Sequence, residues 1–232
     1  MMVEKNRNDL PEGWVWTKLV DVSLINPRFK EENIPGDIDV SFLPMRAVQE
    51  LSGKIDLSLT RKLSQVKKRY TAFIEGDLLF AKITPCMENG KIAIAKNLHN
   101  GMGFGSTEFH VIRLSPLLNS KFFFFFLIQD AIREDARKNM KGTAGQLRVP
   151  STYLEQISIP LPPLHEQHRI VAKIEELFSY LDAGVAALKK AKAQLKLYRQ
   201  AVLKAAFEGR LTAAWREAHK GELESPITAL RK

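Results

Sequence analysis

Between Leu164 and Phe207 the chain has no proline, and Lys, Glu, Ala and Leu dominate. Such a run has one good solution, a single uninterrupted helix. Its apolar residues recur every seven positions. Ile174, Leu181, Leu188, Leu195 and Val202 form one row, and Ile170, Leu177, Gly184, Ala191, Tyr198 and Ala205 form the other. A repeat this narrow and regular marks a coiled-coil seam rather than the broader stripe of an ordinary surface helix. At 1.5 Å per residue the helix is expected to be roughly 55 Å long. The small members of the seam, Gly184, Ala191 and Ala205, let a partner backbone approach closely. No earlier segment offers a helix of comparable length, so the partner is expected from another chain. The alternative is a helix folded back on residues 1–160. Phe207 and Gly209 read as the end, with Gly209 as the C-cap.

The entry into this helix is ISIPLPPLHEQHRIVAKIEELF, from Ile157 to Phe178. A proline fixes φ and donates no backbone hydrogen bond, so Pro160, Pro162 and Pro163 are excluded from a central strand or a helix interior. Pro163 is compatible with the first helical turn. The stretch reads as a short strand, a stiff joint and an abrupt helix start.

Residues 1–160 have a mixed pattern. GWVWTKLVDV (Gly13 to Val22) alternates and ends in a helical turn or strand. GDLLFAKI (Gly76 to Ile83) reads as a buried strand, and GKIAIAK follows the Asn89-Gly90 turn signal as another. EFHVIRL (Glu108 to Leu114) is apolar on both faces and reads as a central strand. SPLLNSKFFFFFLIQDAIREDARKNM predicts one helix of about twenty residues. KGTAGQLRVP is a glycine-bearing loop, and Thr152 with Glu155 predicts a capping box for a short helix after Pro150. The fold expected is α+β: a mixed α/β domain over residues 1–160, a long C-terminal coiled-coil helix over 161–209, and a tail over 210–232.

The formal charge of +9 points to an anionic partner, nucleic acid first. The excess is spread along the sequence, so any basic surface is assembled in three dimensions. A single cysteine, Cys86, excludes an internal disulfide and suits a reducing cytoplasm. The N-terminal MMVEKNRNDL has no apolar core of a signal peptide. The run FFFFFLI, Phe122 to Ile128, falls far short of the roughly 20 residues of a membrane helix and is expected to be buried.

Catalytic signatures are largely missing. HEQH at residues 165–168 places its second histidine three residues on, not four, and no further ligand cluster accompanies it. GMGFGST precedes a strand rather than a helix, which is the wrong context for a phosphate loop. Asn26-Pro27-Arg28-Phe29 resembles the Asn-Pro-Pro-aromatic motif of adenine methyltransferases, but Arg28 replaces a proline and no cofactor-binding glycines occur. Cys86 has no evident histidine partner. Neither a metal nor a cofactor is expected.

The remaining signals concern binding. RKLSQVKKRY gathers Arg61, Lys62, Lys67, Lys68 and Arg69 beside Tyr70, a density suited to phosphate contacts. AKITPCMENGK sets Lys82, Asn89 and Lys91 around a turn, and KGTAGQLR sets Lys141, Gln146 and Arg148 on a loop. Asn, Gln and Arg can each make bidentate contacts with base edges. For the long helix, Ile170, Ile174, Leu177, Leu181, Leu188, Leu195, Tyr198 and Val202 are the expected dimer contacts.

Several of these segments resemble, in order, the type I restriction-modification specificity subunits. They are LPEGWVWTKLVDV, FIEGDLLFAKITPCMENGKIAIA, GFGSTEFHVIRL, KGTAGQLRVPSTYLEQISIPLPPL, PLPPLHEQHRIVAKIEELF and LYRQAVLKAAFEGRLTAAWRE, covering about Leu10 to Glu217. The resemblance implies a target recognition domain that reads one half of a bipartite double-stranded DNA site, followed by a spacer helix. It also implies a subunit without catalysis of its own. Its partners would be adenine-methyltransferase modification subunits and a motor-nuclease restriction subunit, with no membrane association. A full-length member contains the unit twice with its two long helices antiparallel, and this sequence contains it once. It is therefore expected to be a half-size subunit that pairs with a second copy, or a fragment, with AAFEGRLTAAWREAHKGELESP resembling the junction to a second unit. Two rival classes remain: a stand-alone DNA methyltransferase or nuclease, and a coiled-coil scaffold with no DNA role.

Overall fold

The computed structural model describes residues 10–29, 34–143, 145–222 and 225–230. The chain divides into two compact units, one reaching to Lys173 and one running from Ile174.

The first unit contains ten strands: β1 (Val15–Lys18), β2 (Ser23–Ile25), β3 (Asp39–Leu43), β4 (Thr60–Lys62), β5 (Thr71–Ile74), β6 (Leu78–Ala81), β7 (Ile92–Ile94), β8 (Met102–Gly105), β9 (Phe109–Leu114) and β10 (Ser158–Leu161). It contains the helices α1 (Leu19–Val22), α2 (Leu63–Val66), α3 (Ser120–Leu127), α4 (Asp130–Lys138) and α5 (Ser151–Gln156), and the start of α6 (Leu164–Phe207). The second unit holds the rest of α6, then α7 (Ala213–Ala218) and α8 (Pro226–Leu230). Mixed sheets followed by a long C-terminal helix are the α+β architecture that the sequence predicts.

Two four-stranded sheets carry the first unit, in the orders β2-β9-β6-β7 and β4-β3-β8-β5. β9 is central as expected, paired antiparallel with β2 and β6, because its first four residues are buried. β6 is buried along its whole length. In the second sheet β3 and β8 run parallel, with Phe42 opposite Phe104. Gly103 and Gly105 of GMGFGST lie in β8. A Cβ on Gly103 would come within 2.1 Å of the Phe73 ring, and one on Gly105 within 2.3 Å of the Leu43 carbonyl oxygen. These glycines let a buried aromatic and a neighbouring strand close on the backbone.

A two-stranded ribbon joins the ends of the domain, with Trp16 opposite Pro160. Each strand of a ribbon keeps one unpaired edge, so Pro160 is tolerated there. The Pro163 carbonyl accepts the first helical hydrogen bonds from Glu166 and Gln167, which places Pro163 just outside α6 rather than inside its first turn. Gln167 is buried and links three pieces. Its side-chain amide donates to the Pro162 carbonyl, and its Oε1 accepts from the Asn119 backbone N–H at the start of α3. Val171 and Ile170 pack on the same core as α3 and β10.

The sequence differs from the structure at three places. The helix expected over residues 115–140 is two helices, broken at Ile128 and Gln129, where Gln129 has extended backbone. Arg133 stabilises the break by donating to the Ile128 and Glu88 carbonyls, which would otherwise lack partners. The capping box of Thr152 and Glu155 does not form, because α5 starts two residues early with Pro150 as its N-cap and Thr152 lies inside the helix. The Asn89-Gly90 pair turns the chain, with Gly90 at φ +68°, but inside a longer loop from Lys82 to Lys91 rather than in a two-residue hairpin. The phenylalanine run is buried, with Phe122, Phe123, Phe124 and Leu127 in the core. Among the described residues no helix is long and apolar enough to cross a membrane.

Helix α6 is continuous from Leu164 to Phe207, and its 44 residues correspond to about 66 Å, longer than expected because the helix begins directly after Pro163. Gly209 follows at φ +73°, and its N–H donates to the Ala206 carbonyl, the left-handed ending expected of it.

Candidate nucleic-acid interface

The candidate cations of the first unit differ in what already holds them. The Arg61 guanidinium lies 4.3 Å from the centroid of the Phe42 ring. Lys62 pairs with Asp39 across the β3–β4 ladder at 3.0 Å. Arg148 makes a fork-to-fork pair with Glu108, both bonds 2.8 Å, which holds the Glu108 carboxyl below its ordinary range. The Lys91 ammonium donates to the Met45 carbonyl, and the Asn89 amide donates to Glu50 at 2.9 Å. Lys68 and Arg69 are exposed at the end of α2, and Lys141 and Gln146 on the loop before α5. That loop is closed by backbone bonds between Lys141 and Arg148.

Lys82 follows directly on β6, one residue beyond Ala81, whose N–H donates to the Lys91 carbonyl. Its own N–H donates to the Glu108 carbonyl and its carbonyl accepts from the Val149 N–H. There it lines a cleft of about 530 Å³ where β5 and β9 approach each other, together with Asn26, Arg28, Phe29, Lys67, Tyr70 and Thr71. Three cations and no carboxylate appear among the described residues lining this cleft.

One wall is the Asn26–Phe29 turn. Asn26 adopts φ +52°, and its side chain secures that conformation. Its Oδ1 accepts from the Val111 N–H, and its Nδ2 donates to His110 Nδ1 at 2.9 Å. His110 Nε2 donates to the Val149 carbonyl at 2.8 Å, so Nε2 carries the proton and Nδ1 is free to accept. Burial, helped by Lys82, holds the His110 imidazole below its ordinary pKa. The Asn26 amide is thus committed within the protein, in keeping with setting aside the methyltransferase motif. Arg28 and His110 are site residues that the sequence did not mark. Arg28 stands in a quoted motif, but nothing local tells that the turn faces Lys82.

His165 and His168 form no metal centre. His168 Nδ1 accepts from the Asn119 amide, and no group of three His, Cys, Asp or Glu among the described residues could hold an ion. Cys86 is half-buried, and burial pushes its thiol up.

In the second unit the seam residues from Leu177 to Tyr198 are exposed. Leu181, Leu188, Leu195 and Tyr198 are each more than 60% exposed. Ile174 and Val202 are partly covered, and Ile170, in the first unit, packs on that unit's own core.

Fold and sequence define the class of protein as a DNA specificity domain of restriction-modification systems. Residues 11–196 match the family model described as the type I restriction modification DNA specificity domain, and the chain belongs to that family. It is 39% identical over 181 residues to the type I restriction enzyme EcoAI specificity subunit of Escherichia coli, covering 77% of this chain and 30% of that protein. It is 27% identical to the EcoKI specificity subunit of Escherichia coli K12, covering 93% of this chain and 47% of that protein. The HsdS subunit from Thermoanaerobacter tengcongensis has a similar fold, with a TM-score of 0.60 at 26% identity, covering 95% of this chain and 53% of that one. The chain spans less than half the length of these curated relatives.

Proposed function

We propose that the chain is a non-catalytic DNA-recognition subunit, or the recognition part of one, that directs a type I modification and restriction complex to one half of a bipartite site. Residues 1–160 read DNA, 161–209 form the spacer and pairing helix, and 210–232 form the junction-like tail. The partners are double-stranded DNA, adenine-methyltransferase subunits and a motor-nuclease subunit. Family membership across residues 11–196 carries this reading. The exposed cations Lys68, Arg69 and Lys141, and the polar Gln146, support it as contacts to phosphate and base edges. The bare apolar seam of α6 supports a second long helix lying against it, from a second copy of this chain, since exposed apolar surface of that extent marks an interface.

The test is reconstitution with modification subunits, followed by mapping of methylated adenines. Methylation is expected at an interrupted motif, and only when the chain is present. Methyl transfer by the purified chain alone, or an unchanged methylation pattern without it, would overturn the reading.

A further inference from the structure

The cleft between the Asn26–Phe29 turn and Lys82 has a definite chemical character. Its lining holds Arg28, Lys67 and Lys82 and no carboxylate among the described residues. Glu108, whose carbonyl accepts from the Lys82 N–H, has its carboxylate already paired by the two bonds from Arg148. Neither the Arg28 guanidinium nor the Lys82 ammonium has a hydrogen-bond or ion-pair partner among the described residues, and the same holds for the Tyr70 hydroxyl. Two cations without a partner, Arg28 and Lys82, facing one concave space favour an anion.

The aromatic residues of the cleft decide which part of a nucleic acid enters. A base would need an open ring face to stack on. Phe29 meets Phe104 edge to face at 5.3 Å, and Tyr70 meets Phe42 at 4.9 Å, and both pack on the buried cluster of the second sheet. They serve as walls of the core, and the free groups named above are the Arg28 guanidinium, the Lys82 ammonium and the Tyr70 hydroxyl. Rigidity points the same way. Asn26 is pinned by Val111 and His110, and the Lys82 backbone by Glu108 and Val149, so the backbone next to Arg28 and under Lys82 is set before any ligand arrives. Charges on a fixed backbone suit a contact that sets position and register rather than one that reads sequence.

We propose that this cleft seats a backbone phosphate of the bound DNA strand, with Arg28 and Lys82 as its charge partners and the Asn26–His110 bond as the positioning element behind Arg28. The inference rests on the DNA-recognition reading and adds a site and a ligand group to it.

The experiment measures binding of the whole chain to a short mixed-sequence duplex across a series of NaCl concentrations. Wild type is compared with Arg28→Gln, Lys82→Gln, the double variant, Arg28→Lys and, as a remote charge control, Lys96→Gln. Each cleft neutralisation should lower the steepness of log affinity against log salt by about 0.9, and the double variant by about twice that. Arg28→Lys keeps the charge and should keep the slope, which separates loss of the contact from loss of the fold. Weakening should be equal for all duplexes. Millimolar inorganic phosphate should compete only feebly, because the duplex presents many phosphates at once.

Wild-type slopes in both cleft variants would overturn the phosphate site and leave the DNA reading standing. So would an equal loss in Lys96→Gln, or a changed sequence preference at constant slope. A wild-type chain without salt-dependent duplex binding would overturn the DNA reading, and the site with it.

Discussion

At the scale of residues, His110 shows how one side chain fixes two candidate contact segments together. It accepts from Asn26 in one turn and donates to Val149 at the end of the Lys141–Arg148 loop. Only the neutral ring can do both, because a proton on Nδ1 would face the Asn26 amide hydrogens. Burial lowers the folded pKa from the ordinary 6.5, and so does Lys82, while the Val149 bond and Glu108 oppose them. The unfolded chain therefore takes up the proton first as pH falls. The stability owed to neutral His110 is complete above 6.5, declines below it, and stops changing once pH is under the folded value. Denaturant unfolding across this range should show the decline in the wild type and a smaller one in His110→Gln, which has no group titrating there. Equal declines in the two proteins would remove His110 as the source. The sequence did not mark this residue, because a histidine in a central strand reads the same whether it is a ligand, a base or a structural link.

Elements were more legible than residues, and unevenly so. A buried central strand, a glycine-ended helix and a heptad seam are written in local pattern. β9, Gly209 and α6 follow that pattern. The break between α3 and α4 depends on Arg133 reaching the Glu88 carbonyl in a distant loop, which no local pattern carries. The GMGFGST stretch was readable as unfit for a phosphate loop, yet the packing of Gly103 and Gly105 on Phe73 needs the sheet to be seen. The exposed seam gives the next prediction. Leu181, Leu188 and Leu195 are 64%, 72% and 67% exposed, so their replacement by Glu should leave the isolated helix intact while opposing like charges across any paired helix. Light scattering should report a dimer for the wild type and a monomer for the triple variant, at unchanged helix content. A triple variant that still dimerises would show that the pairing surface lies elsewhere.

For the whole molecule, the pairing proposed for α6 constrains the DNA site. Two copies related by a two-fold axis present two identical recognition domains in opposite senses, so their half-sites must be identical and inverted. The target should be an interrupted palindrome whose central spacer is not read. Spacer length should then depend on the helix. Removing Ala183 to Lys189 deletes one full heptad, keeps the seam in register, and shortens α6 by roughly 10 Å. With DNA rising about 3.4 Å per base-pair step, the preferred spacer should shrink by about three base pairs while each half-site keeps its bases. Removing four residues instead shifts the two rows of the seam off one face and should abolish pairing, and methylation with it. Mapping methylated adenines in the reconstituted complex reads all three cases. Two unlike half-sites would exclude a symmetric pair of identical chains. An unchanged spacer after the seven-residue deletion would mean that the distance between half-sites is set by something other than α6.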